Sequence, residues 1–154
     1  MATTRDYVAA TTSKYFGTGV PAHRDPFYTI KRRLDVAAMC TAFGISAFTG
    51  GDIVKIIDIP DNSLVWGVEV KMVTKGTLAT STADIGDATG AANWQSNTDL
   101  YQAAGTTTFS QTYNAAVYPK LYVHATDPYI TIRFDHAASD GVFDITVLCT
   151  DMNQ

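Results

Sequence analysis

The chain has 154 residues, of which 46% are hydrophobic and 17% charged, and its formal net charge is −4 at pH 7. A chain of this length fits one domain that buries a core without help from a metal or a disulfide framework. The acidic balance argues against nucleic acid as a partner, because phosphate binding usually shows as a basic patch. Two small basic clusters, Lys31–Arg33 and the group Arg5, Lys14 and Arg24, do not change that conclusion.

The two cysteines, Cys40 and Cys149, are too few for a disulfide scaffold, although a single bridge between them stays open. The first residues lack the apolar segment of a signal peptide, and no stretch reaches the ~20 apolar residues of a membrane span. The sequence therefore predicts assembly in a cytosol-like compartment, with no membrane partner.

Residues 1–26 are rich in Ala, Thr, Gly and Ser and show no sustained periodicity. We predict an N-terminal arm here, separate from a single domain over residues 27–154. One interpretation is a loosely ordered tail. The other is an arm that orders when its aromatic and basic side chains dock on a partner. The candidate partner contacts are Arg5, Tyr7, Lys14, Tyr15 and Phe16.

Period-two alternation, which is typical of a half-buried strand, starts at Phe27. Residues 37–44 fit either a short helical turn or a bulged continuation of that strand. Residues 49–52, with two adjacent glycines, indicate a turn. The predicted apolar face of the strand contains Tyr28, Ile30, Leu34 and Val36, with Arg32 as an exception on that face.

An apolar run over Ile53–Ile59 ends at Pro60, and the longest alternation in the chain follows it over Ser63–Lys75. We predict that the face carrying Trp66 belongs to the core, because alternating aromatic residues are usually packed. The members of that face are Leu64, Trp66, Val68, Val70 and Met72.

Residues 77–84 indicate a weak strand, and Asp84–Tyr101 a long irregular segment, with one helical turn within Asn97–Gly105. A short strand over Val117–Ala125 is broken by Pro119, which suggests a sheet edge. Long loops in compact domains are often interaction surfaces. For the aromatic residues here, packing at the rim, a protein interface and stacking on glycan rings all remain open. The candidate loop contacts are Trp94, Tyr101 and Tyr118.

The last predicted unit is a hairpin over Tyr129–Asp151, with a polar turn at His136–Gly141. Its apolar positions alternate strictly on both strands. About eight strands, with no helix long enough for a parallel crossover, predict an all-β fold. We expect an antiparallel β-sandwich, jelly-roll-like, with an extended N-terminal arm. The apolar face of the hairpin contains Ile130, Ile132, Phe134, Phe143, Ile145, Val147 and Cys149.

No stretch spells out a catalytic or metal site. Asp84 and Asp87, with Asp99 downstream, are the best candidate carboxylate cluster, but they lack the spacing of a calcium loop and are residues that turns need. Asp135 and His136 resemble part of a triad, without a serine in a suitable context. A hydrolase that uses these groups is the enzymatic alternative. We predict no enzyme, no cofactor and no metal.

Three stretches resemble segments of small tailed-bacteriophage virion proteins, and together they span roughly Phe27 to Met152. The first has a G-D, apolar run and I-P signature, the second a D-x-G-D loop followed by D-L, and the third a closing hairpin. The chain departs from that pattern at Ala88–Ala92, where the group carries a more acidic loop. The stretches are GGDIVKIIDIPDNSLVWGVEVKMVT, STADIGDATGAANWQSNTDLYQAAG and ITIRFDHAASDGVFDITVLCTDM.

The resemblance implies a virion structural protein of the capsid decoration, or cement, type. The implied partners are the major capsid protein and other copies of the chain, which are expected to form a jelly-roll trimer. The implied location is the capsid surface, after assembly in the host cytoplasm. The alternative is a tail or head-fibre binding module that recognises host-surface glycan.

Overall fold

A computed structural model of the chain describes residues 4–6, 27–110, 112–113, 116–117, 119–122 and 129–152. These ranges contain strands and one short helix. In chain order they are β1 (Thr4–Asp6), β2 (Phe27–Asp35), α1 (Val36–Phe43), β3 (Ile53–Asp58), β4 (Ser63–Thr74), β5 (Thr82–Asp87), β6 (Gly90–Asp99), β7 (Thr107–Ser110), β8 (Thr112–Tyr113), β9 (Ala116–Val117), β10 (Lys120–Tyr122), β11 (Tyr129–Phe134) and β12 (Val142–Asp151).

Two sheets pack face to face. Sheet A has the strand order β1-β3-β11-β5-β6, and sheet B has the order β10-β4-β12-β2, with β7 also pairing with β4. The strand pairs are antiparallel, except that β1 runs parallel to β3. Eight main strands thus form the four-stranded sheets β3-β11-β5-β6 and β2-β12-β4-β7, which is jelly-roll connectivity. The predicted all-β sandwich is confirmed.

The core fills the space between the sheets. Phe48 stacks on Phe134 with ring centroids 4.3 Å apart, an arrangement that adds a specific aromatic contact to simple burial. On one side of the sandwich, Arg32 points inward and its Nη1 donates to the backbone oxygen of Ile56, at 2.8 Å. The predicted exception on the apolar face of β2 is therefore a buried cation that joins the two sheets.

The strands β11 and β12 exist as predicted, but they do not form a hairpin. β11 pairs with β3 and β5 in sheet A, whereas β12 pairs with β2 and β4 in sheet B. The connection between them crosses from one sheet to the other, and Ala138 and Phe48 exchange backbone hydrogen bonds along its path. The two apolar faces therefore meet across the core and are not side by side.

A β-bulge interrupts the alternation in β4. Leu148 of β12 lies opposite Gly67, whereas Cys149 lies opposite Val65, so Trp66 is the extra residue. One inserted residue moves the following side chains to the other face of the strand. Val65 is consequently buried and Trp66 is 41% exposed, so the prediction that Leu64 and Trp66 belong to the core is wrong. The remaining predicted members, Val68, Val70 and Met72, are buried.

The predicted irregular segment over Asp84–Tyr101 is instead a hairpin of β5 and β6. Its turn folds back over Gly86, where an added Cβ would lie 2.1 Å from the Gly90 backbone oxygen. The predicted helical turn within Asn97–Gly105 is absent, because β6 continues to Asp99. Residues 37–44 were predicted to form either a short helical turn or a bulged continuation of β2, and the structure shows the helix α1. The helix ends at Gly44, which has the left-handed conformation (φ 66°).

The cysteines do not form the bridge that the sequence left open. Cys40 and Cys149 are both buried, and neither is in a disulfide. Burial raises the pKa of Cys149 to about 12, because a thiolate loses its hydration in the core. Both thiols therefore behave as small apolar side chains.

Candidate functional site: an apolar interaction face

Asp87 belongs to the predicted carboxylate cluster, and its role in the structure is to hold neighbouring elements together. Its buried Oδ1 accepts hydrogen bonds from the backbone N–H of Thr89 and Gly90, at 2.9 and 3.2 Å. Its Oδ2 accepts from Lys120 Nζ and Tyr122 Oη, both at 3.0 Å. The carboxylate therefore fixes the β5–β6 turn and ties it to β10.

Trp94 belongs to the same arrangement. Its side chain is 2% exposed, and its Nε1 donates to Tyr122 Oη at 2.8 Å. The prediction of an exposed loop contact is wrong for Trp94, because strand β6 directs the indole into the core. We call Asp87, Trp94, Lys120 and Tyr122 the Asp87 cluster.

The other predicted acids are also engaged in local structure. Asp84 accepts from the backbone N–H of Asn97 at 2.8 Å and from Arg133 Nη2, and its burial raises the pKa of the carboxyl. Asp99 accepts from the backbone N–H of Tyr101 at 2.8 Å, as in an Asx-turn. Within the described ranges, no group of three or more His, Cys, Asp or Glu side chains could hold a metal ion.

The Asp135–His136 pair does not have the geometry of a triad. His136 Nδ1 lies 3.1 Å from Thr82 Oγ1, and Asp135 Oδ1 accepts from Arg133 Nε at 3.3 Å. The carboxylate is thus directed to a guanidinium. Both residues join the end of β11 to neighbouring elements, as turn residues do.

The outer face of sheet B carries large exposed apolar side chains at one end. The strand register places Phe27 opposite Thr150, Thr150 opposite Leu64, and Leu64 opposite Leu121, so one row crosses four strands. The exposed fractions are 62% for Phe27, 41% for Trp66, 46% for Phe109, 47% for Leu121 and 53% for Met152. With the half-buried Leu64 and Leu148, these side chains form what we call the apolar face.

Two local contacts lower the free-energy cost of burying the apolar face. The polar atom of Trp66, Nε1, already donates to Thr150 Oγ1 at 2.7 Å. The ring of Phe109 lies over Gly67, where an added Cβ would meet Phe109 Cζ at 2.8 Å. Because Gly67 has no side chain, the Phe109 ring lies flat on the sheet. Because the Trp66 N–H already has an acceptor, burying the indole does not leave an unpaired donor.

The opposite end of the same surface is charged. Asp144 on β12 binds Lys31 Nζ at 3.1 Å and Arg33 Nε at 2.8 Å, both from β2. The hydrogen bond from Arg33, and then that from Lys31, hold the pKa of Asp144 below its ordinary value. Glu69 and Lys71 on β4 continue this charged end across the sheet. The surface therefore has an apolar end and a charged end.

The predicted contacts do not coincide with the apolar face. Tyr101 is 36% exposed, and the ammonium of Lys75 lies 4.5 Å from its ring centroid. Arg5 lies in β1, with its backbone beside Val54 of β3. The remaining predicted contacts, Tyr7, Lys14, Tyr15, Phe16 and Tyr118, lie outside the described residues.

Phe27, Phe109, Leu121 and Met152 are exposed on the apolar face, and none of them is among the candidate contacts that the sequence singled out. A signal was present for two of them. Phe109 is a single large apolar residue in a Thr- and Ser-rich stretch. Leu121 lies between Lys120 and Tyr122 on a predicted edge strand. A large apolar side chain that has no apolar neighbours on its own face of a strand can face solvent.

No family model matches the chain, and no curated protein matches it. Solved structures of phage capsids do match. A chain of the cyanophage Pam1 capsid asymmetric unit is 19% identical, with a TM-score of 0.58 over 94% of this chain and 99% of that chain. A chain of the capsid of Ralstonia phage GP4 is 14% identical, with a TM-score of 0.55 over 90% and 92%. A chain of the acidic stable capsid of Helicobacter pylori bacteriophage KHP30 is 10% identical, with a TM-score of 0.50 over 80% and 86%.

At these identities the likeness concerns the fold. The matches extend over most of each neighbouring chain, so the neighbours are chains of similar size and not domains of much larger ones. The chain therefore has the fold of small phage capsid proteins, and the resemblance to phage virion structural proteins is confirmed at that level.

Proposed function

We propose that the chain is a structural protein of a phage virion, and specifically a capsid decoration (cement) protein that binds the major capsid protein on the capsid surface. The apolar face is the observation that carries this proposal. Rigid sheets that present aromatic side chains to solvent are typical of protein interfaces. The fold likeness to phage capsid chains supports the same conclusion.

The size of the apolar face sets the expected strength of one contact. Burial of its exposed side chains removes on the order of 500 Å² of apolar surface from water, which is at the upper end for a monomer. At ~25 cal/mol per Å² the gross gain is about 12 kcal/mol. The cost of association, about 4–15 kcal/mol, is of the same size. One face alone therefore gives a weak contact.

Multivalency raises the overall affinity, although each single contact keeps its own strength. We propose a trimer, in which three apolar faces bind together and raise the avidity. We also propose that residues 1–26 act as an arm which extends the contact area, through Arg5, Tyr7, Lys14, Tyr15 and Phe16. Binding to the assembled capsid then stabilises the head by mass action.

We propose no catalytic role and no cofactor. The acidic side chains that the sequence singled out are engaged in hydrogen bonds within the fold. We also do not propose glycan recognition through Trp94, because a ring that stacks on a sugar needs an exposed face and Trp94 is 2% exposed.

The proposal is tested with purified heads that lack this protein. Added protein should raise the temperature or osmotic shock at which the heads rupture. The double variant Trp66→Ala/Phe109→Ala should lose most of that effect. Leu78→Ala is a matched control, since Leu78 is an exposed apolar residue (39%) outside the apolar face. An unchanged rupture threshold with the unaltered protein would contradict the cement role.

In the part of the chain that the structure describes, no helix is long and apolar enough to cross a membrane.

A further inference from the structure

Two carboxylates bind the same guanidinium on the outer face of sheet A. Arg133 alternates along β11 with the buried Ile132 and Phe134, so its side chain points away from the core. Its Nη2 donates to Asp84 Oδ2 and, at 3.1 Å, to Asp135 Oδ1. When all three groups are ionised, one positive charge therefore faces two negative charges. We call Asp84, Arg133 and Asp135 the shared-arginine group.

Strand pairing fixes this arrangement. Arg133 is the register partner of Asp84 in the β5–β11 pair, and paired residues direct their side chains to the same face of a sheet. The backbone N–H of Asp135 donates to the backbone oxygen of Thr82, at 2.9 Å, so the pairing continues past the end of β11. Thr82 Oγ1 also donates to Asp135 Oδ2, at 3.5 Å. The backbone thus holds both acids next to Arg133.

The two acids differ in their access to water. The side chain of Asp84 is 4% exposed, whereas that of Asp135 is 17% exposed. Asp84 Oδ1 accepts from the backbone N–H of Asn97, a residue of β6 with a left-handed backbone (φ 54°). Because a buried carboxylate loses its hydration, a negative charge is more costly on Asp84 than on Asp135.

Burial is the main reason why the pKa of Asp84 is raised. The hydrogen bond from Asn97 and the positive charge of Arg133 act in the opposite direction. The negative charge of Asp135 raises the pKa further, and so does a hydrogen bond between the two acids, which only a protonated carboxyl can donate. Asp84 is therefore the member of the group that takes up a proton.

Two further titratable residues lie beside the shared-arginine group, and each has a contact of its own. His136 Nδ1 lies 3.1 Å from Thr82 Oγ1. Asp99 of β6 is the register partner of Thr82, and its carboxylate accepts from the backbone N–H of Tyr101. Among the residues that the structure describes, Arg133 is the cation that is hydrogen-bonded to Asp84.

We infer that Asp84 and Asp135 form a pH-sensitive carboxyl pair that strengthens the contact between β5 and β11 in weak acid. At neutral pH both acids are ionised and repel each other across Arg133. In weak acid a proton from the solvent binds Asp84 Oδ2, which then donates a hydrogen bond to Asp135. Arg133 keeps Asp135 as its counter-charge, and Asp84 Oδ1 still accepts from Asn97.

The sign of the effect follows from the raised pKa. A folded-state pKa above the unfolded value of ~3.9 means that the folded chain binds the proton more tightly than the unfolded chain does. The contribution of Asp84 to stability therefore increases as pH falls through the folded-state value, and it levels off below the unfolded value. Asp144 on sheet B responds in the opposite direction.

An NMR titration of the side-chain carboxyl carbon of Asp84 in the purified chain tests the inference. Its midpoint should lie above ~3.9, and Asp135→Asn should lower it, because that variant removes the repulsion. Asp99→Asn is the matched control, since Asp99 lies beside Thr82 but binds Tyr101, and it should leave the midpoint unchanged. A midpoint at or below ~3.9, or an equal response to both variants, would overturn the inference.

Urea denaturation gives a second measurement. Asn at position 84 keeps the acceptor for Asn97 and can donate to Asp135 without a charge. Asp84→Asn should therefore raise the urea midpoint at pH 7 by a few tenths of a molar and lose that advantage at pH 4. Asp144→Asn, the control, should lower the midpoint at pH 7. Equal losses for both variants at pH 7 would show that Asp84 is an ordinary ion-pair partner.

The inference does not rest on the proposed function. The carboxyl pair lies on sheet A, whereas the apolar face lies on sheet B. Asp84→Asn should therefore raise the rupture threshold of heads as much as the unaltered chain does at pH 7. Since the titration and the urea measurements contain no capsid, their failure leaves the capsid-binding result standing.

Discussion

The two tryptophans lie in environments opposite to those that their local sequences predict. Trp66 stands in the cleanest alternation of the chain, yet it is 41% exposed on the apolar face. Trp94 stands in a stretch rich in Ala, Asn and Ser, yet it is 2% exposed within the Asp87 cluster. In both regions the register of strand pairing shifts, at Leu148/Cys149 for β4 and twice along β5 for β6.

Trp94 stabilises the fold, whereas Trp66 presents its ring on the surface. Trp94 packs in the core and donates to Tyr122, which in turn donates to Asp87. Trp66 donates one hydrogen bond to Thr150 and leaves much of its ring in solvent. Substitutions in the two regions should therefore affect different properties: stability for one and binding for the other.

The largest expected effect is that of Trp94→Ala. It leaves a cavity between the sheets and removes the donor to Tyr122, so it should lower the free energy of unfolding by about 3–5 kcal/mol. Trp94→Phe, which keeps most of the ring volume, should cost about half as much. Urea denaturation measures both. A loss below ~1 kcal/mol for Trp94→Ala would contradict the placement of the indole in the core.

Asp87→Ala should follow in size, with a loss of about 3 kcal/mol. The substitution removes the acceptor of Tyr122 and the counter-charge of Lys120, whose side chain is 17% exposed. Asp99→Ala is the matched control, because Asp99 accepts one backbone hydrogen bond at the surface, and it should cost ~1 kcal/mol or less. Equal losses for the two variants would show that the Asp87 cluster does not lock the turn to β10.

Trp66→Ala should change stability by no more than ~1 kcal/mol, because the side chain lies on the outer face of sheet B and its removal leaves no cavity between the sheets. The same variant should weaken capsid binding about 30-fold, the effect of losing a ~2 kcal/mol interface contact. Thermal unfolding and a capsid co-sedimentation titration measure the two quantities on one preparation. A large loss of stability together with unchanged binding would reverse the assignment of the two tryptophans.

The smallest expected effect concerns pH at the charged end of sheet B. The folded-state pKa of Asp144 is lowered, so its contribution to stability is present above the unfolded pKa of ~3.9 and is lost as pH falls through the folded value. Asp144→Asn should therefore reduce stability at pH 7 and flatten its decline in acid. Denaturant midpoints at pH 7 and pH 3 test this. Asp84, whose pKa is raised, contributes in the opposite direction.

Much of the fold could be predicted, because alternation is a local property. The strands β2, β3, β4, β11 and β12 lie close to the predicted ranges, and the sandwich class follows from their number. The pairing of β11 with β3 and β5 could not be predicted. Local alternation shows that a strand has a buried face, but it does not show which sheet supplies that face.

The apolar face was harder to predict than the fold. Phe27, Trp66 and Phe109 come from three separate strands and share one face because of the register of β2 on β12 and of β12 and β7 on β4. No spacing in the sequence encodes such a surface. The predicted arm contacts remain predictions, since residues 7–26 lie outside the described ranges.

Gly67 determines the shape of the surface that a partner would meet. A Cβ at this position would lie 2.8 Å from Phe109 Cζ and 2.8 Å from the Ser110 backbone oxygen, so only glycine allows this close approach. Even a methyl group at position 67 would lift the ring and push β7 outward. A partner that fits the flat surface is thereby sensitive to a residue that it never touches.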